Sequence, residues 1–193
     1  CFMPPKTRIG RDMIVKAAFD LIRREGVEDL NARSLSKELG SSTQPILYHF
    51  STMEEVRDKA YEKADEFHSY YLMNDLEKED NPLLSLGLRY IKFAIEEKNL
   101  FLFLFQSGHF GGSVTALFND EAMSPIYQAF IGETEMREED IRRIFFPLFS
   151  AIHGNASLLA NNALIYNEEE TKEMLTLLFE SLVSKIQEER NEE

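Results

Sequence analysis

The chain has 193 residues, 44% hydrophobic and 28% charged, with a formal net charge of −13. That balance belongs to a soluble globular protein of one or two domains, large enough to bury a core, and excludes a disordered tail or a fibre. The longest apolar run, Leu100 to Phe105, is far shorter than the roughly 20 residues a bilayer span requires, and the single cysteine, Cys1, cannot form an internal disulfide.

Hydrophobic periodicity is helical nearly everywhere, with no run of period-two alternation bounded by turn residues, so the expected fold class is all-α. No secretory pattern precedes the charged start, which makes the cytoplasm the expected location and a membrane partner unexpected; Cys1-Phe2 ahead of Met3 reads as a cloning remnant. Ile14, Ala17, Ala18, Leu21 and Ile22 form one stripe of a first helix that Gly26 can end in a left-handed conformation. Asn31 is the expected N-cap of a second helix running to Leu39, with Leu35 and Leu39 facing inward and Gly40 supplying the turn. Ser42 is the expected cap of a third helix, with Thr43, Gln44 and Pro45 in its first turn, where proline leaves no helical hydrogen bond unmade.

Two short helices about a tight turn fit a helix-turn-helix, whose second helix enters the DNA major groove N-terminal side chains first; the same spacing also fits a plain helical hairpin. Gln44 offers the paired donor and acceptor that match adenine's major-groove edge. Ser42 and Thr43 can bond to base or phosphate, and Tyr48 and His49 can donate to phosphates. Charge placement is compatible with DNA: residues 1 to 60 carry ten Lys/Arg against nine Asp/Glu, whereas residues 61 to 193 carry eleven against twenty-five. The acidity thus sits in the larger part. Lys6, Arg8 and Arg11 cluster at the entrance, and Arg33 and Lys37 lie four apart on one helical face.

From Arg11 to Val56 the chain resembles the N-terminal domain of the tetracycline-repressor (TetR) family of transcription regulators. "AAFDLIRREGVEDLNARSLSKELG", "SSTQPILYHF" and "STMEEV" follow one another in the family's order and spacing without gaps. Aligned on Phe50, the family's usual phosphate-binding tyrosine falls on Leu47, with Tyr48 one place later, and its usual lysine falls on Met53. Either Tyr48, His49, Lys6 and Arg8 take over those contacts, or Leu47 is a core residue with Tyr48 as its exposed neighbour. The resemblance implies a helix-turn-helix DNA-binding domain over residues 8–67, its helix-turn-helix at about 31–50, and an effector-binding and dimerisation domain over 68–193.

Beyond residue 52 the resemblance is architectural: a long helix to about Asn74, a turn at Asn81-Pro82, then apolar helices. Fifteen phenylalanines and no tryptophan make this region rich in aromatic surface, most of it expected in the core. The family places an inducer cavity there, which implies a pocket for an apolar or aromatic small molecule among Phe93, Phe105, Phe110 and Tyr127, with His109 or His153 as polar contact. His153-Gly154 is similar to a histidine-glycine element on the penultimate helix of some family members. Two C-terminal stripes, including Ile152, Ala156 and Leu159 in one and Met174, Leu178, Leu182 and Ile186 in the other, are candidates for a four-helix homodimer interface; the same stripes can serve the intrachain core.

Enzyme signals are weak. "GHFGGS" has no preceding strand and lacks the lysine of a P-loop, and His68, His109 and His153 show no metal-binding spacing. No nucleophile, base and orienting group can be placed together, so no catalytic residue, metal or cofactor is expected. The sequence therefore reads as a two-domain regulator that binds double-stranded operator DNA as a homodimer and answers a small-molecule effector. The alternative is a protein-interaction module with a degenerate helix-turn-helix.

Overall fold

In the computed structural model, residues 9–108 and 136–192 are described, and among them the helical periodicity becomes eight α-helices and no strand. They are α1 (Arg11–Glu25), α2 (Ala32–Glu38), α3 (Gln44–His49), α4 (Met53–Met73), α5 (Pro82–Glu96), α6 (Lys98–Gln106), α7 (Glu138–Ala160) and α8 (Glu168–Glu192). The all-α expectation is borne out. The chain divides into two compact units, one of Cys1–Ser69 with Glu97–Phe110, the other of Tyr70–Glu96 with Gly111–Glu193.

The first unit is built on α1, which buries Ile14, Ala18, Phe19, Leu21 and Ile22. Gly26 ends the helix at φ +100°, ψ 163°, a conformation open to glycine alone at small cost, while its amide donates to Ile22 O at 2.8 Å. Asn31 caps α2 as expected: its Oδ1 accepts from the amides of Arg33 (3.1 Å) and Ser34 (3.0 Å), and its own amide donates to Ser34 Oγ at 3.1 Å. Ser34 thus closes a capping box in the place where glutamate or glutamine is usual. At α3 the expectation needs correcting. The residue at the cap position is Thr43, one later than Ser42: its carbonyl accepts the first helical bond, from the Leu47 amide at 3.1 Å, and its side chain makes no capping hydrogen bond.

Helix α6 joins this unit from farther along the chain and closes over α1. Leu100, Phe101, Phe103 and Leu104 are buried, the Tyr61 hydroxyl donates to Leu104 O at 3.1 Å, and Phe103 meets the Tyr61 ring edge-on. The start of α6 also supplies the end of α1 with partners. Asn99 Nδ2 donates to the carbonyls of Arg23 and Arg24, both at 3.1 Å, and Glu97 pairs with the Arg23 guanidinium. Two carbonyls that a helix C-terminus would leave open are thereby satisfied.

In the second unit, α5 begins at Pro82, with Asn81 Oδ1 accepting from the Leu84 amide at 2.8 Å. Its buried face, Gly87, Leu88, Tyr90, Ile91, Phe93 and Ala94, packs against α7 and α8. Approach is closest at Gly87, where a Cβ would stand 3.1 Å from Leu175 Cδ1 and 3.4 Å from Ile152 Cδ1. Met136, Ile141, Ile144, Leu148 and Ile186 make a second cluster, flanked by Leu83, Phe145, Leu178 and Leu182. Within this unit Arg89 donates to the carbonyls of Leu72 (3.2 Å) and Asn74 (2.5 Å) and pairs with Glu79 at 2.5 Å. Among the described residues no helix is long and apolar enough to cross a membrane.

Candidate nucleic-acid interface

Six residues form α3, too few for a helix to persist by itself, so its presence depends on tertiary anchors. Ile46 and Phe50, 1% and 2% exposed, hold one side in the core. Arg11 holds the far end: its guanidinium donates to His49 O at 2.9 Å, pairs with Glu55 at 2.6 Å and lies over the Phe50 ring, 4.3 Å from the centroid. Glu55 also accepts from the Ser51 amide at 2.9 Å, and these two partners, the backbone amide first, hold its carboxyl below the usual range. His49 Nε2 makes a 3.1 Å hydrogen bond with Ile9 O. The end of α3 is thus tied to the start of α1, and through Arg11 to Glu55 in the first turn of α4.

What remains outward is one face. Gln44, Leu47 and Tyr48 are exposed, the last two at 65% and 75%, and positions 44, 47 and 48 fall within roughly 100° of arc on a helix of 3.6 residues per turn. The core residue is Ile46, so of the two readings left open for Leu47, burial is the one the structure corrects. Ser42 is exposed and Thr43 half-buried at the mouth of the helix, and Arg33 and Lys37 are exposed on α2. His49 differs from expectation, being half-buried with a ring nitrogen engaged by Ile9. Lys6 and Arg8 lie outside the described residues. Met53 is the half-buried first residue of α4 and brings no charge to that end. Sequence reasoning missed the Arg11 clasp, which takes Arg11 from the basic cluster into the support of α3.

The residues assigned to an effector pocket divide. Phe93 is fully buried in the second unit, edge-on to Tyr71 at 5.2 Å, whereas Phe105 belongs to the first, against Phe101 and His68. His109, Phe110 and Tyr127 lie outside the described residues. His153 sits in a polar knot within aromatic walls: Nδ1 shares a 2.9 Å hydrogen bond with the Tyr90 hydroxyl, Nε2 lies 3.4 Å from Ser157 Oγ, and Phe149 stacks on its ring at 5.7 Å. Burial lowers the His153 pKa and raises that of Tyr90, so both are neutral at physiological pH. Tyr90 was not singled out by sequence, since its partner lies sixty-three residues on. Among the described residues no group of His, Cys, Asp and Glu is placed to hold a metal ion.

Of the residues assigned to a subunit interface, Ala156, Leu159 and Ile186 are already buried within one chain, and Ile152, Met174, Leu178 and Leu182 are half-buried. The large apolar residues left exposed on the same two helices are Phe146 (55%), Leu158 (48%) and Leu177 (68%).

No family model matches the chain. It is 23% identical over 184 residues to the uncharacterized HTH-type transcriptional regulator YobS of Bacillus subtilis (strain 168), covering 94% of this chain and 95% of that protein. Among solved structures it resembles a tetR-family transcriptional regulator from Streptomyces coelicolor, with a TM-score of 0.65, 18% identity and coverage of 93% of this chain and 80% of that one. It also resembles the multidrug binding protein EbrR complexed with imidazole, with a TM-score of 0.59, 18% identity and coverage of 92% and 97%. The expectation of this architecture, formed on residues 11 to 56, is met by likenesses that run through nearly the whole chain.

Proposed function

We propose that this chain, which has the fold of the tetracycline-repressor family, is a DNA-binding transcriptional regulator of that family and not an enzyme. In this reading it is a repressor that binds a palindromic operator as a homodimer and releases it when a small molecule binds. The observation that carries the reading is α3 itself. A helix of six residues is anchored by Ile46, Phe50 and the Arg11 clasp, yet turns Gln44, Leu47 and Tyr48 to solvent. Such anchoring is what a reading head requires, since base contacts discriminate only when the side chains that make them are held in register.

The remaining parts follow from the same arrangement. Arg33 and Lys37 on α2, with Lys6 and Arg8 ahead of α1, supply phosphate contacts of no sequence preference. A palindrome is expected because two copies related by a twofold axis place two α3 helices in successive major grooves about 34–36 Å apart. The Tyr90–His153–Ser157 knot and its Phe149 wall are the proposed effector contacts in the second unit, suited to an aromatic molecule with one hydrogen-bonding group. The EbrR likeness, a protein described as multidrug-binding and solved with imidazole, supports a small-molecule step.

Selection of genomic fragments by the purified protein, followed by titration on the enriched sequence and a scrambled control, tests this. A palindrome with half-site centres about one helical turn apart, or a multiple of it, is the expected result. Enrichment of no sequence would overturn it in favour of a protein-interaction module.

A further inference from the structure

We infer that Leu47 reads the 5-methyl group of a thymine in the operator. This rests on α3 being the reading helix, and it names what one of its outward side chains recognises. Three side chains make that outward face, and they divide by chemistry. Gln44 presents a donor and an acceptor together, the pair that adenine's N6 and N7 call for. Tyr48 carries a hydroxyl and meets the His49 ring edge-on at 5.0 Å, and His49 is itself tied to Ile9 O, so Tyr48 is braced on the flank toward the start of α1, where a phosphate contact belongs. Leu47 has no polar atom to offer either group. It is nevertheless 65% exposed on a helix whose core needs are met by Ile46 and Phe50.

The major groove presents one apolar feature, the thymine methyl. Leu47 stands three residues beyond Gln44, about 4.5 Å along the helix axis, which is close to the 3.4 Å that separates successive base pairs. An adenine bound by Gln44 therefore brings a thymine methyl, from its own pair or the next, within reach of Leu47. Burying that methyl against leucine removes apolar surface from water on both sides, and water beside the methyl is displaced without loss of a hydrogen bond.

The test uses the full-length protein and its selected operator. Each thymine in turn is replaced by deoxyuracil, which deletes the methyl and leaves every hydrogen-bonding group in place. One position per half-site should weaken binding about four-fold, the effect of one buried methyl-sized group. Leu47→Ala should bind the thymine and uracil operators equally, with its melting temperature unchanged because the side chain is exposed. Tyr48→Phe should retain the discrimination. A flat uracil scan with the wild-type protein, or undiminished discrimination by Leu47→Ala, would overturn the assignment while leaving operator binding intact. Failure to select any operator would remove both the assignment and the regulator reading beneath it.

Discussion

Gln44 has the clearest individual consequence. As the first residue of α3 and fully on its outward face, it is expected to supply a paired base contact. Gln44→Ala should lower the ratio of operator to scrambled-DNA affinity by roughly 1–3 kcal/mol with little change in non-specific binding, as read by titration on both DNAs. An unchanged ratio would take Gln44 out of the reading face. His68 provides a test away from DNA. It is 9% exposed on α4, edge-on to Phe105 at 5.3 Å, and burial lowers its pKa to about 4 from an ordinary 6.5. The unfolded chain takes up a proton below pH 6.5 that the folded chain refuses until about pH 4, so the fold is most stable above pH 6.5 and weakens between those values. The loss is at most about 3 kcal/mol. Thermal unfolding from pH 7 to pH 4 should show that slope, and His68→Leu should flatten it; an identical slope in the variant would place its origin elsewhere. At this scale the sequence was legible for placement, as at Gln44, which is exposed at the start of α3. At His49, expected to donate to a phosphate, it did not reveal the bond to Ile9, because no local pattern shows a partner forty residues away.

Among the elements, α5 carries a sharp prediction at Gly87, where α7 and α8 come closest. Gly87→Ala gains about 1 kcal/mol of helix propensity and needs only a small shift of the Leu175 and Ile152 methyls, so its melting temperature should stay near that of the parent. Gly87→Leu drives a larger side chain into the same contact and should cost about 1–3 kcal/mol or more, seen as an earlier denaturant midpoint. Equal stability of the two variants would show that these helices are free to separate. The ends of the helices were largely readable. Asn31, Gly26 and the Asn81-Pro82 pair act locally, and each works as its residue type dictates. Ser42 misled because three small polar residues, Ser41 to Thr43, precede α3, and which of them caps it depends on where the core draws in Ile46. The polar link from α6 to α1 was invisible for the related reason that Asn99 and Glu97 reach partners more than seventy residues back.

For the whole molecule, assembly and switching are the measurable properties. Phe146, Leu158 and Leu177 are exposed on α7 and α8, the two helices expected to carry the subunit interface, and a stable dimer needs about 800 Å² buried on each partner. Light scattering at micromolar concentration should report a dimer; a monomer that still bound operator would defeat that proposal. Once an effector is found, calorimetry should give a lower affinity in the presence of operator, by the same factor by which the effector weakens DNA, commonly about 5–150-fold. Equal affinities would disconnect the small-molecule site from DNA binding. The order of the chain also bears on its synthesis. Because α6 covers α1 and supplies the partners of its last carbonyls, the helix-turn-helix unit lacks part of its own core until residue 106 has been made. At about 5–20 residues per second, the nascent chain spends about 2–7 s between residues 70 and 106 with the α1 surface uncovered. During that interval the apolar face of α1 is open to chaperones, and it closes only when α6 packs over it.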